Sequence, residues 1–219
     1  MEASKPDAPP AGLVPIRSLA DRHRERILAH LLALDHQDRY LRFGYSASDA
    51  QVQRYVDGLD FERDDIFGIF NRRLELIAMA HLAFLPPEAG GPAGAEFGVS
   101  VLKKARGRGF GARLFERAAV HARNEGVELI FIHALSENTA MIKIARNAGA
   151  TVERAGSETE AYLRLPPATL DSRLSEALDE QVAQADYRLK RQAKSFLEFL
   201  AQLQEIRSGA ADARNKSGR

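Results

Sequence analysis

The chain has no cysteine and no tryptophan, and it has three methionines. Without cysteine there is no disulfide framework, no thiolate metal site and no sulfur nucleophile. That composition fits a reducing cytoplasm, which is the expected location. No apolar run approaches the about 20 residues of a membrane span, so no membrane partner is expected. Charge of one sign is lacking too. Lys plus Arg number 31 against 30 for Asp plus Glu, a net +1, so nucleic acid is not expected as a partner. Met1 to Gly12 is rich in Pro and Ala, lacks the apolar core of a secretory signal, and reads as a disordered lead-in. What is present is ordinary. The 219 residues are 45% hydrophobic and 28% charged, enough for one sizeable core.

Patterning divides the chain into a main domain over 13–165, a helical extension over 166–208 and a polar, disordered tail over 209–219. Leu13 to Leu19 predicts a strand, and Asp21 can cap a helix running to about Leu34. Asp35 to Gly44 reads as a polar connection. Ser48 and Gln51 form a capping box for the next helix. Strands follow at Asp65 to Phe70, Leu74 to Phe84 and Ala95 to Leu102. A glycine-rich turn then opens a helix that Gly126 can end. Glu128 to Ala134 is apolar throughout, the pattern of a central strand. Ser136 can cap a further helix closed by Gly149, and strands near Ala150 to Arg154 and Glu160 to Leu165 complete the domain. The expected fold is α/β: a mixed, mostly antiparallel sheet of six or seven strands flanked by helices. Pro166 and Pro167 break the chain. From Thr169 to Ile206, large apolar residues recur at helical spacing, as one helix or two.

The chemistry concentrates at Arg106-Gly107-Arg108-Gly109-Phe110-Gly111-Ala112. Three glycines at alternate positions let the backbone take positive φ and let a ligand approach closely. The first amides of the helix have no intrahelical partner, and with the helix dipole they suit a pyrophosphate. Arg106 and Arg108 add cationic donors. The P-loop pattern is absent, and the dinucleotide pattern Gly-x-Gly-x-x-Gly fails at Ala112. Arg-x-x-Gly-x-Gly does fit, through Arg106, Gly109 and Gly111.

This block, with the Asn138 to Gly149 segment behind it, resembles the GNAT superfamily of N-acyltransferases, over roughly Val14 to Leu165. The resemblance implies acetyl-CoA as acyl-donor cosubstrate, held by Val99 and Val101 of the strand, by Arg106, Gly107, Arg108, Gly109, Gly111 and Ala112 of the turn, and by Asn138. It implies direct attack of a primary amine on the thioester, with an amide of the Val99 or Val101 strand polarising the carbonyl. The acceptor is a small-molecule or protein amine, and no metal is expected. Glu96 stands where some members keep a carboxylate base, and it reads equally as a structural glutamate. Where many members have a tyrosine acid this chain has Ala145, and Ala150 stands where Phe often follows the glycine. Ala145 motivates the alternative, a CoA-binding regulatory or protein-interaction module without turnover. His81 and His133 read as satisfied core histidines. Asp38 to Phe43 sits where the family builds its acceptor site. Arg42 in it suits an acceptor carboxylate, but the preferred reading is a charged helix end. The extension suits packing on its own domain or a homodimer contact.

Overall fold

The computed structural model describes residues 14–86, 92–191 and 194. Seven strands form one sheet: β1 (Arg17–Leu19), β2 (Asp65–Phe70), β3 (Leu76–Phe84), β4 (Gly94–Val101), β5 (Leu129–Leu135), β6 (Thr151–Ala155) and β7 (Glu158–Arg164). Their order across the sheet is β1-β2-β3-β4-β5-β7-β6. All neighbours are antiparallel except β4 and β5, which run parallel. The helices are α1 (Arg24–Leu32), α2 (His36–Phe43), α3 (Asp49–Asp57), α4 (Phe110–Asn124) and α5 (Thr139–Asn147). A sixth, α6, spans 170–191.

The core follows from the strand period. Phe97 on β4 meets Phe115 of α4 edge to face, with ring centroids 4.9 Å apart. Odd-numbered residues of β4 therefore face α4. Even-numbered ones face the opposite side, where α1 carries fully buried Ile27 and Leu31, and α3 carries Val52 and Val56.

Local signals place most elements. Ser48 and Gln51 form the expected capping box of α3. Three expectations are corrected. Asp35 to Gly44 is a helix and its stop: the Asp35 side chain caps α2 by accepting from the Asp38 amide, and Gly44 ends it at φ 79°. The cap of α5 is Asn138, whose side chain accepts from the Met141 amide at 3.1 Å. Ser136 instead bonds across to the β7 hairpin at Thr159, Oγ to Oγ1, at 2.9 Å. Asp21 opens a short 3-10 turn (Asp21–His23) and pairs with Arg24 at 2.8 Å.

Candidate acyl-transfer site

The site begins where the sheet splits. β4 and β5 pair at Gly94 with Leu129, Ala95 with Ile130 and Glu96 with Phe131, and pairing stops there. Beyond Glu96, β4 continues along β3 while β5 continues along β7. Backbone parity on β4 is fixed at both ends. The Gly94 carbonyl accepts from the Leu85 amide of the β3 side, and the Leu102 amide donates to Ile77. Even-numbered residues therefore bond to β3. Odd-numbered ones, Val99 and Val101 among them, aim their amides and carbonyls into the gap. A chain of amide groups inserted there could pair with them as a strand would.

The gap ends in the glycine turn. Gly107 and Gly109 both take φ 74°, and a Cβ on either would meet nothing within 4 Å. The turn is thus open on the side where a ligand would lie. Gly109 is the N-cap of α4, and no side chain caps it. The Arg113 amide makes the first intrahelical bond, to the Gly109 carbonyl at 3.1 Å, leaving the amides of the preceding residues without an intrahelical acceptor. Gly111 serves packing: a Cβ there would stand 3.0 Å from Ile144 Cδ1 of α5. The residues present fit a pyrophosphate on a pantetheine arm: open left-handed glycines, unengaged first-turn amides, and a strand edge leading to them.

The two arginines are placed differently from one another. Arg108 lies over the Phe110 ring, 4.6 Å from its centroid. Arg106 is folded back onto α2, where it pairs with the nearly buried Asp38, and its Nε donates to the Val101 carbonyl at 3.2 Å. Asn138 has both ends of its amide engaged. Its oxygen caps α5, and its nitrogen donates to the Leu41 carbonyl of α2 at 3.3 Å.

The element that sequence reasoning missed, α2, thus lies across the mouth of the gap. Asp35 pairs with Lys103 at 3.2 Å, Asp38 pairs with Arg106, and Arg42 lies against Gly98. These positions recur at three and four residues, one face of a helix. The flanking Asp35 and Gly44 were the available signal.

Glu96 is exposed at the point where the strands part. On its side of β4, Arg42 Nη2 donates to the Tyr55 hydroxyl at 2.9 Å, Tyr55 meets His81 Nδ1 at 2.7 Å, and His81 Nε2 meets Asp64 Oδ2 at 3.0 Å. Burial lowers the His81 pKa, opposed by the Asp64 bond. Burial likewise raises that of Tyr55. His81 is therefore the satisfied histidine expected, though half-buried. His133 is not a core residue; it is exposed. Tyr55 and Asp64 carry no motif that would have marked them. Ala145 is buried, so the position of the usual tyrosine holds a core methyl group.

The described residues contain no group of three or more metal-ligating side chains, and no described helix is long and apolar enough to cross a membrane.

A sheet split between two parallel strands, with a glycine turn and helix N-terminus at the end of the split, defines the acyl-CoA-dependent N-acyltransferase fold. The chain belongs to the acetyltransferase (GNAT) family, whose model matches residues 29–150. Among solved structures it resembles the GNAT domain of S. lividans PAT, at 24% identity and TM-score 0.58, over 68% of this chain and 89% of that one. It also resembles the ribosomal-protein-alanine N-acetyltransferase from Brucella melitensis, at 16% identity and TM-score 0.52, over 68% of this chain and 99% of that one. A variant of the cAMP-binding acyltransferase from Mycobacterium smegmatis matches at 21% identity and TM-score 0.50, over 77% of this chain. This chain spans 50% of that acyltransferase's length. No curated protein matches the chain significantly.

Proposed function

We propose that the protein transfers the acetyl group of acetyl-CoA to a primary amine. The observation that carries this reading is the split after Glu96, which turns the Val99 and Val101 backbone toward a gap ending in the Gly107–Gly109 turn. Acetyl-CoA supplies an activated acyl group on a thiol leaving group. The chain's own residues do the rest. The turn and the α4 amides bind the pyrophosphate, aided by Arg106 once it leaves Asp38, and by Arg108. Val99 and Val101 orient the arm, and an odd-numbered β4 amide donates to the acyl oxygen. Asn138 holds α2 and α5 together at the arm's flank. Glu96 takes a proton from the incoming ammonium. The neutral nitrogen forms the new C–N bond as the C–S bond breaks, and the electron pair leaves with the sulfur. The nitrogen's surplus proton goes to water, Glu96 returns its own to solvent, and the thiolate is protonated from solvent, because Ala145 offers no acid.

A second reading is a CoA-binding regulator without turnover, favoured by Ala145 and by the engagement of Arg106 with Asp38. Titration calorimetry with acetyl-CoA, paired with thiol release over a panel of amines, separates the two. Transfer predicts binding plus amine-dependent thiol release that falls at least about tenfold in Glu96→Gln with acetyl-CoA affinity unchanged. Binding without release with any amine would favour the regulator. Cytoplasmic location is part of the proposal and rests on the lack of cysteine.

We also propose that α6 pairs with α6 of a second copy. Its docked face is largely polar, and its apolar stripe is turned to solvent: Leu170 is 87% exposed, Leu174 63%, Leu178 58% and Leu189 66%. That stripe does not pack on its own domain, which leaves the assembly reading. Among the exposed charges of the helix, Asp171 and Asp179 stand with Arg173 toward its start, and Arg188, Arg191 and Lys194 stand toward its end. An antiparallel two-fold pair sets each end against its opposite.

A further inference from the structure

Gly98 follows Glu96 by two residues on β4, so both belong to the same face of the sheet. Gly98 has no side chain, and the space is taken. A Cβ there would lie 2.8 Å from Arg42 Cζ and 2.8 and 2.9 Å from its two Nη atoms. The Arg42 guanidinium thus fills the place of the missing side chain, supplied by α2 from across the mouth of the gap. Two residues along a strand span about 7 Å. A carboxylate that suits an ammonium and a guanidinium that suits a carboxylate therefore stand over strand positions about that far apart, just where β4 and β5 part.

The guanidinium is held from one side only. Arg42 can only donate, so the Tyr55 oxygen accepts from it at 2.9 Å. Tyr55 then has one proton, which points to His81 Nδ1 at 2.7 Å. His81 Nε2 faces a carboxylate oxygen of Asp64 at 3.0 Å and so carries the ring proton. The depressed pKa of His81, caused first by burial, agrees with this neutral tautomer. Every bond in the chain has a fixed direction, and the chain fixes Arg42 through one nitrogen. The rings of Phe43 and Tyr55 flank the guanidinium, with centroids 5.3 and 5.5 Å from Cζ. Among the described residues Arg42 makes no ion pair. The acidic neighbours one and two turns back on α2 are engaged elsewhere, Asp38 with Arg106 and Asp35 with Lys103. A half-buried guanidinium with donors to spare, at the mouth of a reactive gap, is matched by an anionic group of the acceptor.

We propose that Arg42 binds the carboxylate of an amine acceptor that also carries a carboxylate near its amino group, as an α-amino acid does, while Glu96 faces the ammonium. The zwitterion spans the two side chains, with a hydrogen bond at each end. Tyr55, His81 and Asp64 are positioning residues that act through Arg42. The proposal rests on the acetyl-transfer reading above and adds the substrate class to it.

The test compares the intact protein and its variants on three acceptor sets: α-amino acids, their α-amides, and diamines without a carboxylate. Thiol release gives kcat and KM, and calorimetry gives acetyl-CoA affinity. The wild-type protein should favour the acids over the amides at least about tenfold in kcat/KM, the scale of one charge-assisted contact. Arg42→Gln should erase that preference by raising KM for the acids, leaving kcat/KM for the amides and acetyl-CoA affinity unchanged. Arg42→Lys should restore part of it. Gly98→Ala should copy Arg42→Gln, because the added methyl displaces the guanidinium. Asp64→Asn should raise KM for the acids by a smaller factor. Equal use of acids and amides by the wild type would overturn the proposal, and so would an equal loss on all three sets in Arg42→Gln. If no amine yields thiol, the transfer reading itself fails. The anion site is then judged by titrating an α-amino acid into the CoA-saturated protein. Binding that Arg42→Gln abolishes supports the site, and binding that is absent or unchanged in the variant overturns it.

Discussion

The gap between β4 and β5 and the dock of α6 are built on opposite plans. At the gap, glycines and unpaired strand edge leave backbone groups without partners. At the dock, side chains satisfy one another closely. Glu176 of α6 receives Arg117 at 2.6 Å, together with His121 and Asn124. The second nitrogen of His121 faces Asp65 Oδ2 of β2 at 2.7 Å. Both ring nitrogens meet carboxylates, so both carry protons and the ring is an imidazolium. Burial opposes that charge, but the bonds to Asp65 and Glu176 prevail and lift the pKa to about 9. Burial would raise Glu176, and its bonds to His121, Arg117 and Asn124 overcome it, bringing it to about 2. Glu180 adds Ser18 at 3.0 Å, and Lys190 adds the Phe70 carbonyl at 3.2 Å. Open backbone groups in the one region leave room for a ligand under the proposed function. Paired charges in the other fix an element in place.

The contrast predicts that changes at the gap alter ligand affinity, and changes at the dock alter stability or assembly. The largest effect should come from Gly109→Trp. A non-glycine residue at φ 74° is strained, and a bulky one fills the open cradle. Acetyl-CoA affinity should fall on the order of a hundredfold or more, about 2.7 kcal/mol, by calorimetry. Unchanged affinity in a folded variant would remove the pyrophosphate from this turn.

Next in size is Glu176→Ala. It removes the carboxylate that Arg117 and His121 share, leaving Arg117 only Glu180 at 3.5 Å and His121 only Asp65, and should lower stability by about 2 kcal/mol in denaturant unfolding, with acetyl-CoA affinity unaltered. The same dock sets a pH window. The His121 pKa is raised from 6.5 to about 9, so its contribution is complete below 6.5 and is lost as pH rises through 9. Glu176 is depressed from 4.5 to about 2, so its contribution is complete above 4.5 and is lost as pH falls through 2. Hydrogen exchange of α6 should therefore be slowest between those limits and should quicken as pH rises toward 9, beyond the intrinsic rate increase. The quickening should vanish in Glu176→Ala. Loss of acetyl-CoA binding in that variant would show that the two regions are coupled.

The smallest effect on the folded protomer should come from Leu174→Glu with Leu178→Glu, since both side chains are already exposed. Light scattering should show a dimer reduced to a monomer, with unfolding midpoint nearly unchanged. A wild-type chain that is monomeric at all concentrations would sink the pairing of α6.

The glycine turn was legible because its chemistry is local. Arg106, Gly109 and Gly111 are neighbours in sequence, and their spacing alone prescribes a turn that opens a helix. The apolar run of β5 and the capping box of α3 were legible for the same reason. The split was legible only through the resemblance that sets Val99 and Val101 against the cofactor arm, because it is a relation between strands 35 residues apart, Gly94 with Leu129, that no local pattern encodes. The chain from Arg42 to Asp64 lies further still from sequence reading. Its members come from α2, α3, β3 and the loop before β2; Arg42 alone was singled out as suited to an acceptor carboxylate, with a charged helix end preferred, and nothing in the sequence tied it to the other three. The solvent-facing stripe of α6 shows the converse limit. Periodicity located its apolar face, but which face docks was decided by Glu176 and the partners waiting for it on α4.

The guanidinium lodged over Gly98 also makes a statement about variation. Positions 42 and 98 share one volume, and only one of them can fill it. A relative with any side chain at position 98 must retract or shorten the residue at 42, and a relative with a small residue at 42 is free to place a side chain at 98. The two positions should therefore exchange bulk as a pair. A family in which they do so would reveal, from its sequences alone, which members read their acceptor with a cation supplied by α2 and which use the sheet itself.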